Sequence, residues 1–204
     1  VLDGEAGAAR EVWRCGITGP AGVGKSSLVG RFVNARLAHK RRVGVVAIDP
    51  SSPYSQGAIL GDRIRIDAHG DDAELFVRSL ASRHARDGLA DNIANVLALL
   101  EAHDFDDVLV ETVGAGQSQY EVRELVDTLI VVLMPVASDM VHSVKAGILE
   151  TGDIYVINKA DRPGAKEMVA EIASVLRHPQ SSDDWLPPVV LASALGGDGI
   201  AELD

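Results

Sequence analysis

The segment Gly19-Pro20-Ala21-Gly22-Val23-Gly24-Lys25-Ser26 constrains this chain more than any other. It fits the pattern G-x-x-x-x-G-K-[ST] between an apolar run that predicts a strand over 12–17 and an amphipathic stretch that predicts a helix over 25–40. Closely spaced glycines let a backbone curl until successive N–H groups point inward around an anion, and the helix start adds its positive end. Gly19, Ala21, Gly22, Val23 and Gly24 are therefore the backbone candidates for cradling phosphate, with Ser26 and Ser27 beside them. Lys25 is expected to reach the β- and γ-phosphates of a nucleotide, and the Ser26 hydroxyl to ligate Mg²⁺.

The rest of the chain keeps the same alternation. Short apolar runs predict strands over 43–48, 75–80, 108–110, 129–134, 154–157 and 189–191. Amphipathic stretches predict helices over 92–103, 141–150 and 165–176. The implied fold class is α/β: a three-layer phosphate-loop NTPase (a G domain) with a mainly parallel central sheet flanked by helices, one domain over 1–204. Such sheets bind ligands beyond the carboxyl ends of their strands. The irregular stretches 50–70 and 114–120 are long or glycine-rich enough to be functional loops.

Later segments speak to the base and the cation. Asn158-Lys159-Ala160-Asp161 follows the strand 154–157 and fits N-K-x-D. A carboxylate at Asp161 can accept from the ring N–H and the exocyclic amino group of guanine together; adenine lacks that ring donor. Leaving a buried carboxylate unpaired is costly, so the expected selection for GTP over ATP is strong. The Lys159 stem can cover one face of the base. Ser193-Ala194-Leu195, after the last strand, is the candidate for a backbone N–H that meets the guanine carbonyl oxygen. Glu111 opens Glu-Thr-Val-Gly, where it can hold Mg²⁺ and where Gly114 can move toward a γ-phosphate. Asp49 at the end of the second strand and Asp62 in the following loop are further acids suited to the same cation, since Mg²⁺ takes oxygen ligands.

Composition narrows the partners. Nineteen Lys and Arg stand against 30 Asp and Glu, a net charge of −11, which disfavours nonspecific binding to nucleic acid or an anionic membrane. Three Phe, two Trp and three Tyr disfavour a base-stacking surface for nucleic acid. A single cysteine allows neither an internal disulfide nor a Cys-rich metal centre. The longest apolar stretch, 128–137, falls short of the roughly 20 residues of a spanning helix. The first residues show no signal pattern, so the cytoplasm is the expected location.

Together these stretches resemble the phosphate-loop GTPases whose third motif carries Glu in place of Asp, here Glu111. Within that class they resemble the GTPase chaperones of adenosylcobalamin-dependent acyl-CoA mutases, the MeaB and methylmalonic aciduria type A (ArgK-like) branch, some of whose members bear names as transport-protein kinases. The residues that carry the resemblance are GITGPAGVGKSS (16–27), VVAIDPSSPYSQGAILGDRIRI (45–66), LVETVGAGQSQ (109–119), KAGILETGDIYVINKAD (145–161) and WLPPVVLASALGGDGI (185–200). The resemblance implies that Asp49, Asp62 and Glu111 are Mg²⁺-associated acids with Ser26. It also implies that Arg65 and Gln117 lie in two nucleotide-sensing loops, and that 135–145, with Asp139 and Lys145, signals to the mutase. The implied activity is hydrolysis of GTP to GDP and phosphate, gating cofactor loading or protecting a mutase of the methylmalonyl-CoA type. Gln119 replaces an acid common in the family, and 135–145 lacks the usual glycines. The family's N-terminal helical extension and C-terminal dimerisation arm are not expected in this chain, which leaves a homodimer doubtful.

Two rival readings follow from related proteins: a nickel-insertion GTPase, which needs Cys or His ligands, and a kinase for transport proteins, which needs a protein acceptor. The six histidines, His39, His69, His84, His103, His142 and His178, show no ligand spacing and are expected to be solvated or internally satisfied. Cys15 is expected in the core, Trp13 and Trp185 at sheet edges, and Asp71-Asp72 and Asp106-Asp107 as solvated loop charges. The basic run 39–42 is expected to complement the end of a helix.

Overall fold

A computed structural model describes residues 12–50, 74–82, 92–112, 118–135, 148–177 and 186–203 of the protein. Seven strands form one sheet: β1 (Trp13–Thr18), β2 (Val43–Pro50), β3 (Leu75–Ser82), β4 (Asp107–Glu111), β5 (Thr128–Leu133), β6 (Ile154–Ile157) and β7 (Val189–Leu191). Their order is β3-β2-β4-β1-β5-β6-β7, and every pairing is parallel. Among the described residues the helices are α1 (Lys25–Ala38), α2 (Ile93–Glu101), α3 (Ser118–Arg123) and α4 (Ala165–Leu176), with a 3₁₀ turn at Ile148–Glu150.

The inner strands β2, β4 and β5 read as nearly unbroken apolar runs because both sheet faces are covered there, and alternate residues serve opposite faces. Cys15 and Ile17 of β1, Leu109 of β4, and Ile130 and Val132 of β5 pack with Leu28, Val29, Phe32 and Val33 of α1. The intervening Val108, Val110 and Leu129 pack with Ile93, Leu97 and Leu100 of α2 and with Val122 of α3. Further along that second face, Val131, Leu133, Tyr155 and Ile157 meet Met168 and Ile172 of α4. The result is the three-layer α/β architecture with a parallel centre. Gly16 makes room on the second face, since a Cβ there would lie 2.8 Å from both Leu129 and Val122.

Several expectations are corrected. The glycine-rich stretch 114–120 was expected to stay irregular, but α3 begins at Ser118; its six residues are too few to show a helical period in sequence. Of the helix expected over 141–150, only Ile148–Glu150 is described, and it is a 3₁₀ turn. Trp13 is not at a sheet edge, because β1 is the middle strand. Its ring meets Phe32 edge-to-face at 6.1 Å between centroids, the Arg36 guanidinium lies over it, and its indole N–H donates to Thr128 Oγ1. Trp185 and Asp71-Asp72 lie outside the described residues.

Asp106 and Asp107 are not solvated: both are buried, Asp107 completely. Asp107 accepts from Nε and Nη2 of Arg41 at 2.7 and 2.6 Å, and Asp106 accepts from the Arg42 backbone N–H at 2.7 Å. The basic run after α1 thus clamps the start of β4 rather than only facing the helix dipole. A buried acid is tolerated where a guanidinium fork satisfies it.

Cys15 is fully buried in β1 as expected, and burial pushes its thiol well above the usual range. His39 and His103 are exposed; the other four histidines lie outside the described residues. Among the described residues no helix is long and apolar enough to cross a membrane.

Candidate functional site

Parallel strands bring every strand's carboxyl end to one edge of the sheet. Register places Ile17 beside Glu111 across β1 and β4, and Ala47 beside Glu111 across β2 and β4. The glycine-rich loop leaving β1, Glu111, the segment after β6 and the segment after β7 therefore share one rim.

The loop needs its glycines. Gly19 has φ +144, and a Cβ there would lie 2.0 Å from the Val132 carbonyl oxygen, inside its van der Waals radius. Gly24 has φ +94, and a Cβ there would come within 2.5 Å of the Asn158 amide. Glycine alone tolerates both the backbone angle and the approach. Val23 is buried and anchors the loop, while Ala21 and Gly22 are exposed at its tip.

Lys25 opens α1 and is buried, with Nζ donating to the Gly19 and Pro20 carbonyls at 2.9 and 3.1 Å. Burial holds the ammonium below its ordinary pKa, while the nearby Glu111 carboxylate works in the opposite direction. The lysine is thus held inside the curl of the loop. Ser26 Oγ donates to Glu111 Oε1 at 2.7 Å. This hydroxyl and this carboxylate are hard oxygen donors at hydrogen-bond distance, and Ser26 is open to solvent; they fit a magnesium ion that takes its other ligands from phosphate and water. Thr112 fixes the level of Glu111: its N–H donates to the Ile17 carbonyl and its hydroxyl to Thr18 Oγ1. Asp49 is described by its backbone alone, two residues beyond Ala47 on β2. Asp62, Arg65, Gly114, Gln117, Asp139 and Lys145 lie outside the described residues.

On the other side of the loop is a cleft of about 240 Å³ lined by Gly24, Ser27, Asn158, Lys159, Asp161, Arg162, Ser193, Ala194 and Leu195. Asn158 is buried and spans it. Its Nδ2 donates to the Val23 carbonyl at 2.9 Å and its Oδ1 accepts from the Ala194 N–H at 3.0 Å. Lys159, in a left-handed conformation at φ 62, sends its stem toward the loop so that Nζ donates to the Gly22 carbonyl at 2.6 Å. Its stem is thereby held along the cleft, where a planar ring can lie against it.

Asp161 is exposed in this cleft, not buried as the selectivity argument assumed. Its carboxylate becomes desolvated only when a ligand covers it. Ser193 Oγ lies 3.5 Å from Asp161 Oδ1, at the limit of hydrogen bonding, and accepts from the Gly196 N–H at 3.0 Å. The structure thus gathers Gly19, Ala21, Gly22, Val23, Gly24, Lys25, Ser26, Ser27, Glu111, Asn158, Lys159, Asp161, Ser193, Ala194 and Leu195 at one rim. Sequence reasoning missed Thr18, Thr112, Arg31 and Arg162. Arg31 had a signal: it stands four residues after Ser27, on the same face of α1.

With a phosphate-loop fold and this rim in hand, the class is that of the phosphate-loop GTPases. The sequence model of the family described as "Methylmalonyl Co-A mutase-associated GTPase MeaB" matches residues 2–204, and the chain belongs to that family. A protein of Pyrococcus abyssi named as a GTPase is 42% identical over 193 residues, covering 92% of this chain and 59% of that protein. The mouse mitochondrial methylmalonic aciduria type A homolog is 34% identical over 195 residues, covering 94% of this chain and 47% of its own length. The crystal structure of an LAO/AO transport system kinase superposes with a TM-score of 0.72 at 30% identity, over 94% of this chain and 56% of that one. The chain therefore spans about three fifths or less of the length of these relatives.

Proposed function

We propose that this chain is a single G domain that binds GTP, hydrolyses it to GDP and phosphate, and serves as a chaperone of an adenosylcobalamin-dependent acyl-CoA mutase of the methylmalonyl-CoA type. The observation that carries the nucleotide part is the cleft in which Asn158 ties the phosphate loop to the Ser193–Leu195 segment with Asp161 at its mouth. The mutase part rests on the family's description and on the named mouse relative.

In this reading the loop N–H groups and Lys25 hold the β- and γ-phosphates, and the lysine exchanges the Gly19 and Pro20 carbonyls for phosphate oxygens. Asp161 accepts from the guanine ring N–H and amino group, and the Lys159 stem covers one face of the ring. Ser26 and Glu111 would hold Mg²⁺, with Asp49 and Asp62 as further candidates; the ion supplies neutralisation of phosphate charge. Arg65 and Gln117 assist when the mutase is bound, so intrinsic turnover is slow and the mutase accelerates it.

The test has two arms. Titration with GDP and ADP is expected to show a preference for GDP of at least about 100-fold, from the pairing that adenine cannot make; equal affinities would remove the guanine assignment. Pull-down from native extract with a nonhydrolysable GTP analogue and with GDP is expected to recover a cobalamin-dependent mutase in only one nucleotide state. The relative titled as a transport system kinase favours a second reading, transfer of the γ-phosphate to a protein. Release of inorganic phosphate without labelling of any protein counts against it.

A further inference from the structure

The segment that closes the cleft opposite Asp161 is held by very little apolar contact at its tip, where the Leu195 side chain is 86% exposed. Polar contacts hold it instead. Ser193 N–H donates to the Asp198 carbonyl, Gly197 N–H to the Ser193 carbonyl, and Gly196 N–H to Ser193 Oγ, so the turn is closed upon itself. Its ties to the phosphate-loop side are Asn158, through the Ala194 N–H, and Arg31 of α1. Arg31 Nε donates to the Ala194 carbonyl and Nη2 to the Leu195 carbonyl, both at 2.9 Å.

This fork decides which N–H faces the ligand. The Ala194 N–H is already engaged by Asn158. The next donor is the Leu195 N–H, which has no hydrogen-bond partner among the described residues. It belongs to the same peptide unit as the Ala194 carbonyl that Arg31 holds. In a planar trans peptide the carbonyl and the N–H point in opposite directions, so fixing one fixes the other. A carbonyl that accepts from a guanidinium also leaves its peptide N–H more positive and a stronger donor.

We propose that Arg31 is a positioning residue for base recognition: its fork on the Ala194 and Leu195 carbonyls aims the Leu195 N–H at the C6 carbonyl oxygen of guanine. This rests on the guanine reading above and adds to it a residue outside the cleft lining. Arg31 touches neither phosphate nor base; it acts through the backbone it holds.

The experiment pairs a protein change with a ligand change. Dissociation constants are measured for wild type, Arg31→Ala and Arg31→Lys with GDP and with 2-aminopurine riboside diphosphate, which keeps the amino group but lacks the C6 oxygen and with it the ring N–H. It binds more weakly for the second reason in every variant, so only the ratio between variants is read for each nucleotide. Arg31→Ala is expected to weaken GDP about tenfold, the value of a charge-assisted hydrogen bond, and to leave the aminopurine nucleotide within about twofold. Arg31→Lys, with one donor in place of a fork, is expected to fall between. Equal weakening of both nucleotides would reduce Arg31 to a brace for the cleft as a whole and overturn the proposal, as would no change in either. Thermal unfolding of each variant separates loss of fold from loss of aim. The GDP-over-ADP ratio of wild type is read in the same series: if it is near one, the guanine reading itself fails, whereas a high ratio with no Arg31 effect sinks only the positioning role.

Discussion

Asn158 joins the phosphate loop to the far wall of the cleft: its amide nitrogen donates to the Val23 carbonyl at 2.9 Å from a fully enclosed position. With its oxygen on the Ala194 N–H, one side chain sets the distance between two segments 171 residues apart (23 and 194). Asn158→Ala leaves a carbonyl and an N–H unpaired in a buried place, at about 1–3 kcal/mol each. The expected outcome is a stability loss of about 2–4 kcal/mol in urea unfolding and a loss of guanine-nucleotide affinity of tenfold or more. Near-normal stability with normal GDP affinity would show that the two segments hold their spacing without it.

Lys25 gives a pH dependence whose sign is fixed by burial. Its pKa in the folded protein lies below the ordinary 10.5, so at pH values between the two the unfolded chain carries more protons than the folded one. The destabilisation from this ammonium is therefore present below the folded pKa and is relieved as pH rises through the window up to 10.5. Stability of the nucleotide-free protein is expected to gain a rising contribution there, and affinity for GDP to fall as the charge that faces phosphate is lost. Lys25→Met is expected to lack both trends; measurement of unfolding and of GDP binding across the alkaline range checks it.

The parts of this protein that were legible in sequence are those whose chemistry is local. The loop 19–26 declares itself because two of its glycines occupy positions that no other residue tolerates, and the inner strands β2, β4 and β5 because burial on both faces makes their interiors apolar. Asp106 and Asp107 were misread because their partners, Arg41 and Arg42, lie some 65 residues earlier and meet them only once β2 and β4 pair. Side-chain burial of this kind is a tertiary fact. The same holds for Arg31, whose acceptors lie 163 and 164 residues away. Asp161 lines the cleft but is exposed there, where the selectivity argument took its carboxylate as buried; no signal in the sequence distinguishes the two environments.

Asp107 offers a test of stability separated from function. It is fully buried at the start of β4, at the opposite end of that strand from Glu111, and holds Arg41 through two oxygens. Asp107→Ala leaves that guanidinium without its carboxylate and is expected to cost about 3 kcal/mol, within the range for breaking a buried pair. GDP affinity, measured at a temperature where the variant stays folded, is expected to remain within about twofold because the cleft lies at the other edge of the sheet. A large affinity loss at full stability would show coupling along β4 that the packing does not predict.

Asp161 carries the last prediction. An ionised carboxylate only accepts hydrogen bonds, and guanine presents two adjacent donors, the ring N–H and the amino group. Xanthine replaces that amino group with a carbonyl oxygen, an acceptor, while keeping the ring N–H. An amide presents one acceptor and one donor side by side. Asp161→Asn is therefore expected to lose guanine affinity by about 100-fold or more, since a donor now faces the amino group, and to gain affinity for xanthosine diphosphate, whose pattern it matches. Because Asp161 is exposed and Ser193 Oγ stands at 3.5 Å, the change is expected to leave stability within about 0.5 kcal/mol of wild type. Calorimetric titration with the two nucleotides checks the exchange. Unchanged GDP affinity would mean that the base does not lie against Asp161.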